Sequence, residues 1–255
     1  SIRRAVDDPM LAFSLSAAPP AWTLNNHDTQ RIVTRLGRAE ATDPDTWTDL
    51  NLMLSPAPGD DALGTRRARA AIVFIAALPG SLYLYQGEEL GLPEVLDLPL
   101  EARQDPVVER TGGATLGRDG CRVPLPWRSH PGDNFGFSPP GSAASPWLPQ
   151  PAGWGERSVD AEAADPNSML RLYRAMAAAR RDLRTEAHHI DMLDIGVGAI
   201  GFKRGPWTVV LNVSDAATDV YRFVDAGATV ALSSTTDPVD HAVVPANSCV
   251  WWRTY

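Results

Sequence analysis

The chain has 255 residues, 44% of them hydrophobic and 21% charged, a globular composition that excludes disorder throughout and allows one or two domains. Lys plus Arg number 23 against 31 Asp plus Glu; the net charge of −8 argues against a nucleic-acid partner and against an anionic membrane surface. Lys203 is the one lysine among the 23 basic residues, a bias that reads as GC-rich coding. Cys121 and Cys249 are too few for a disulfide framework and read as reduced thiols, which points to the cytoplasm. No run approaches the ~18 apolar residues of a membrane span, and no signal peptide is visible in a chain that starts at Ser1.

After a charged opening and Pro19-Pro20, Ala21-Trp22-Thr23-Leu24 predicts a short buried strand, stopped by the turn-forming run Asn25-Asn26-His27-Asp28. A helix is predicted between Asp60 and Leu78. Asp60 or Asp61 can cap it, Leu63, Ala70, Phe74 and Leu78 line one face, and Pro79-Gly80 ends it. Ser81 to Tyr85 predicts a second strand. The long crossover between the two suits parallel pairing and a piece of an α/β sheet or barrel. Residues from about 87 to 165 are rich in Pro, Gly and Ser and lack a sustained period, so a long functional loop is expected there. A second helix starts after Asp165-Pro166-Asn167-Ser168, with Met169, Leu172, Tyr173 and Met176 on one face. Beyond about Thr185, β-rich runs at Ala199–Phe202, Thr208–Val213, Thr229–Leu232 and Cys249–Trp252 predict a small antiparallel β-domain.

Three segments carry candidate chemistry. Asn26-His27-Asp28 directly follows a predicted strand, where a carboxylate beside an imidazole can bind sugar hydroxyls or stabilise a developing cation; the same residues are also ordinary turn formers. Gln86-Gly87-Glu88-Glu89 follows the second strand, and its paired acids can hold a ligand or cap a helix. In Gly117-Arg118-Asp119-Gly120-Cys121-Arg122, two arginines four apart can clamp an acidic side chain. Trp127 reads as a packed anchor of its loop, Cys121 as a small buried side chain, and His188 and His189 as surface residues.

Together, in this order, these segments resemble glycoside hydrolase family 13, the α-amylase superfamily, and within it the α-glucosidase and oligo-1,6-glucosidase group. Pro146-Trp147-Leu148-Pro149, the Asp165–Arg174 segment and the β-rich tail are similar to that group's substrate-loop exit, last barrel helix and C-terminal domain. The resemblance implies an α/β plus all-β fold. Residues 1–184 are then the C-terminal part of a (β/α)8 TIM barrel, its last two β/α units with a long substrate loop at about 87–165, and residues 185–255 an antiparallel β-sandwich. It also implies a role for each site residue. Asp28 is the third catalytic carboxylate, acting on the −1 sugar, with His27 as a hydroxyl donor beside it. Arg118 reaches the same sugar and orders the loop by pairing with a buried carboxylate, Asp28. Arg122 braces the loop, Arg31 lies near the pocket, and Glu88 lies on its rim.

The same resemblance marks what this chain does not carry. Retaining glycosidases need a nucleophile and an acid/base carboxylate ~5 Å apart; in this family they come from the fourth and fifth strands, and no segment here resembles either region. The chain is therefore expected to be part of a retaining α-glucosidase that releases terminal α-linked glucose from oligosaccharides, with the missing N-terminal barrel portion as its partner. Alone it should bind sugar weakly or not at all and lack activity. No cofactor and no metal are expected. A sibling activity (trehalose synthase, sucrose isomerase or α-glucosyltransferase) and a non-catalytic binding or chaperone subunit remain open alternatives.

Overall fold

A computed structural model describes residues 2–38, 58–183 and 188–255. Its helices are α1 (Ile2–Ser16), α2 (Ile32–Leu36), α3 (Asp61–Ala77), α4 (Pro106–Arg110), α5 (Val159–Ala164) and α6 (Met169–Leu183). Its strands are β1 (Ala21–Thr23), β2 (Ser81–Tyr83), β3 (Asp191–Leu193), β4 (Ala199–Arg204), β5 (Trp207–Asn212), β6 (Thr218–Asp219), β7 (Thr229–Ser233), β8 (Val243–Val244) and β9 (Ser248–Arg253). The chain divides into two compact units. Residues 1–24, 66–83 and 172–255 form a sheet unit, and residues 25–65 and 84–171 form a loop unit. The expected boundary at 184/185 lies outside the described residues.

In the sheet unit, β1 and β2 pair in parallel with Trp22 opposite Leu82, as the crossover length predicts. They form a two-stranded sheet. Trp22 Nε1 donates to Pro79 O at 2.6 Å. Gly80 turns the chain into β2 at φ +118°, a conformation open to glycine; a Cβ there would lie 2.3 Å from Pro20 O.

Helix α3 starts where Asp60 Oδ1 accepts from Leu63 N at 2.9 Å, so Asp60 is the cap, and Asp61 adds a charge that suits the helix N-terminus. Its expected apolar positions Ala70, Phe74 and Leu78 are buried. Helix α1 is a helix the sequence reading missed. Arg3–Asp7 and Arg4–Asp8 pairs at i,i+4 brace its first half at 2.9 and 3.2 Å. Pro9 inside it removes one backbone donor and hides the pattern.

The tail forms an antiparallel sheet of five strands, in the order β3-β4-β5-β9-β7, with a separate two-stranded β6–β8 ladder. β5 and β9 are central and apolar on both faces, so they read as continuous runs without alternation. One face packs Trp252 with Val210, Val220, Val244 and Val250. Trp251 meets Trp207 edge to face at 6.1 Å, and its Nε1 donates to Val73 O at 3.0 Å. The loop unit has its own apolar core of Leu90, Leu92, Leu98, Val123, Leu148, Trp154 and Leu170. Among the described residues no helix is long and apolar enough to cross a membrane.

Candidate functional site

The turn after β1 is built by its asparagine. Asn26 Oδ1 accepts from Asp28 N at 2.8 Å, an Asx-type turn, and Thr29 Oγ1 accepts from Asn26 N at 3.2 Å. Asn26 is spent on the backbone, as the turn reading expects, while the side chains of His27 and Asp28 stay 68% and 48% exposed. His27 Nε2 lies 3.3 Å from Asp28 Oδ2.

The arginine loop reaches this turn from a distant part of the chain. A single 3-10 turn over Asp119–Cys121 has Arg118 and Arg122 at its two ends, so residues four apart can point at one target. Arg118 Nη1 donates to Asp28 Oδ1 at 2.9 Å, and Arg122 Nη2 donates to the same oxygen at 3.1 Å. Arg122 Nε also donates to His27 O at 2.9 Å. Arg122 thus braces the loop as expected and touches Asp28 as well, which the sequence reading did not foresee. With both arginines on Oδ1, Oδ2 faces His27, and the pair presents an acceptor and an imidazole at an exposed position.

Arg118 was expected to find a buried carboxylate in Asp28; the structure gives it two carboxylates and makes the other one the buried one. Asp105 has a side chain only 1% exposed. Its Oδ2 accepts from Arg118 Nε at 2.6 Å and from Arg118 N at 2.9 Å, and its Oδ1 from Arg118 Nη2 at 3.2 Å and Val107 N at 3.1 Å. The Arg118 fork holds the Asp105 carboxyl well below the usual carboxylate range, and Asp105 in turn raises the guanidinium above its ordinary value. Asp119 is equally buried. Its Oδ2 accepts from Gln104 N at 2.7 Å and Asp105 N at 2.9 Å, and its Oδ1 lies 3.9 Å from Arg122 Nη1. The sequence reading missed both aspartates. The one local signal was Asp105 before Pro106, a helix-cap pattern that its bond to Val107 N confirms.

Arg31, expected near the pocket, is buried at 1% exposed. Its guanidinium donates to Gln86 O at 3.0 Å and Val123 O at 3.4 Å, and lies against the rings of Tyr85 and Trp154 at 5.9 and 5.6 Å. Its backbone N donates to Glu94 Oε2 at 2.8 Å. Burial pushes the Glu94 carboxyl up to about 7. Glu88, expected on a rim, is also 1% exposed, and its charge acts on Arg35. Trp127 corrects the reading the other way, at 48% exposed where a packed anchor was expected. Cys121 is buried as expected, and burial pushes its thiol up to about 12, which makes it unreactive. His188 and His189 are exposed, as expected. Among the described residues no group of three or more His, Cys, Asp or Glu side chains could hold a metal ion.

Residues 3–186 match the family model for the α-amylase catalytic domain. A probable α-glucosidase of Rhizobium meliloti (strain 1021) is 32% identical over 209 residues, 79% of this chain and 33% of that protein. The oligo-1,6-glucosidase of Parageobacillus thermoglucosidasius is 27% identical over 175 residues, 62% of this chain and 26% of that protein. The crystal structure of the α-glucosyl transfer enzyme XgtA superposes with a TM-score of 0.68 at 27% identity, over 97% of this chain and 43% of that one. The chain thus spans a third or less of the length of these two curated relatives.

Proposed function

The chain belongs to the α-amylase catalytic-domain family, and on that premise we propose that it is the sugar-binding part of a retaining α-glucosidase that hydrolyses terminal α-linked glucose from oligosaccharides. The observation that carries the reading is the exposed Asp28 carboxylate, with one oxygen fixed by two arginines and the other beside His27. A carboxylate fixed in this way accepts hydroxyl hydrogen bonds without reorganising, and it stabilises positive charge as the glycosidic bond breaks. In this reading β1 and β2 are the last two strands of a (β/α)8 barrel, within residues 1–184, and residues 185–255 are the C-terminal β-domain. The nucleophile and the acid/base come from barrel strands that this chain does not carry.

The test is turnover of a p-nitrophenyl α-glucoside by the product expressed from the gene's own start, beside residues 1–255 alone. The first should turn over and the second should not. Asp28→Asn should lower kcat of the first by about 100-fold or more, with little change in melting temperature. His27→Ala should cost less, about 1–3 kcal/mol for one hydroxyl left unpaired. Turnover by residues 1–255 alone would refute the division of labour, and Asp28→Asn near wild-type kcat would refute the role of Asp28. A non-catalytic subunit is the outcome if the native-start product binds sugar without turnover. The likeness to XgtA favours one second reading, α-glucosyl transfer, and sugar products longer than the substrate would establish it.

A further inference from the structure

The side chains around Asp28 form a chain of alternating charge whose ends are buried: Asp105, Arg118, Asp28, Arg122, Asp119. The outer aspartates are 1% exposed, the arginines 37% and 24%, and Asp28 48%. The two outer carboxylates are also stapled across each other. Asp105 takes the backbone and guanidinium of Arg118, while Asp119 takes the backbone N–H groups of Gln104 and Asp105. An arginine this exposed, with only one surface carboxylate as partner, would sample many rotamers, because surface pairs alone hold long side chains weakly. Three of the four bonds that Asp105 accepts come from Arg118; they use its backbone N, Nε and Nη2, which leaves Nη1 to meet Asp28.

We propose that Asp105 is a positioning residue for the reaction: it fixes the Arg118 fork from below, and through it the orientation in which Asp28 meets the sugar. The proposal rests on the glucosidase reading above for its consequence, and on the geometry alone for its cause. Asp105 touches no sugar. Removing its charge lets the guanidinium swing, so Asp28 loses one of its two anchors at the moment when charge develops on the sugar. The effect therefore falls on kcat and not on KM.

The experiment is a double-mutant cycle of Asp105→Asn and Arg118→Lys on the native-start product, with kcat, KM and melting temperature read separately. Each single change should lower kcat by about tenfold or more with KM little altered, and the double variant should be no slower than Arg118→Lys alone. A purely structural Asp105 would lower the melting temperature and leave kcat alone, or would lower kcat by the same factor in both backgrounds; either result overturns the proposal. In parallel, hydrogen exchange of the Arg118 Nε–H, read by NMR on the 15N-arginine-labelled native-start product, should speed up in Asp105→Asn, and an unchanged rate overturns the proposal. That readout needs no turnover. An inactive wild type with fast exchange in the variant would therefore remove the glucosidase reading and leave the positioning standing. Should Asp105→Asn not fold, Asp105→Ser, which also removes the charge, replaces it; a wild-type exchange rate and kcat there overturn the proposal.

Discussion

The sheet unit buries Trp207, Trp251, Trp252, Phe74 and Phe202, and its polar side chains mostly reach backbone carbonyls at its margins. The loop unit, with an apolar core of its own, also buries Arg31, Glu88, Glu94, Asp105 and Asp119. The sheet can rely on area, because β5 and β9 bring a regular ladder that satisfies their own backbone groups. Residues 84–171 have only short helices and turns; turn carbonyls meet many of their backbone N–H groups, and buried carboxylates take others, those of Gln104, Asp105 and Val107. The lesson is that a long loop without a period can be ordered by a few ionised side chains, at the cost of making its order sensitive to pH and to single polar changes.

Four changes test that contrast. Trp251→Ala should cost the most, about 3–5 kcal/mol by urea unfolding, because a fully buried indole leaves a cavity; a loss under about 1 kcal/mol would break the account of the sheet unit. Next comes pH. The Glu94 carboxyl is raised from 4.5 to about 7, so the folded state holds its proton more tightly than the unfolded chain. Its contribution is therefore full below about pH 4.5 and lost as pH rises through about 7, by up to roughly 3 kcal/mol, and Glu94→Gln should flatten that slope. Asp105 acts with the opposite sign. Its depressed carboxyl stabilises above its unfolded value near 3.8 and loses that contribution as pH falls through its lower folded value. Asp119→Ala leaves the Gln104 and Asp105 N–H groups without their acceptor and should cost about 2 kcal/mol, with the loop unit losing amide protection before the sheet unit in hydrogen exchange. Trp127→Ala should cost the least, about 1 kcal/mol or less, since half of the side chain is in solvent; a larger loss would restore the anchor reading.

What the sequence made legible follows the same division. α3, α6 and the four β-rich runs of the tail carry periods or continuous apolar runs, and each stands within a residue or two of its expected place, β4 alone running two residues further. α1 escaped because Pro9 and paired acids masked a helix that i,i+4 ion pairs support. The pairing of Asp28 with Arg118 was foreseen through a resemblance and not through spacing. The buried aspartates were not foreseen, since Asp105 meets Arg118 across 13 residues that carry no period. Arg31 near the pocket and Glu88 on its rim were expected from the resemblance, and neither residue type announces burial, since charged side chains are mostly exposed. Carbonyls, aromatic rings and the Glu94 carboxylate around Arg31 exist only after the loop has folded.

The far end of α3 carries a consequence of its own. Its last carbonyls and those just beyond it are met by side chains made much later in the chain: Arg180 donates to Ala76 O, to Leu78 O at 3.1 Å and to Gly80 O at 2.7 Å, and Arg204 donates to Ala77 O at 2.9 Å. Arg204 follows Ala77 by 127 positions. At ~5–20 residues per second, a ribosome needs on the order of 10 s to supply these donors after the helix itself has emerged. Until then these carbonyls lack the donors that close them in the folded protein, and a nascent chain halted before Arg180 would present the end of α3 without its side-chain caps.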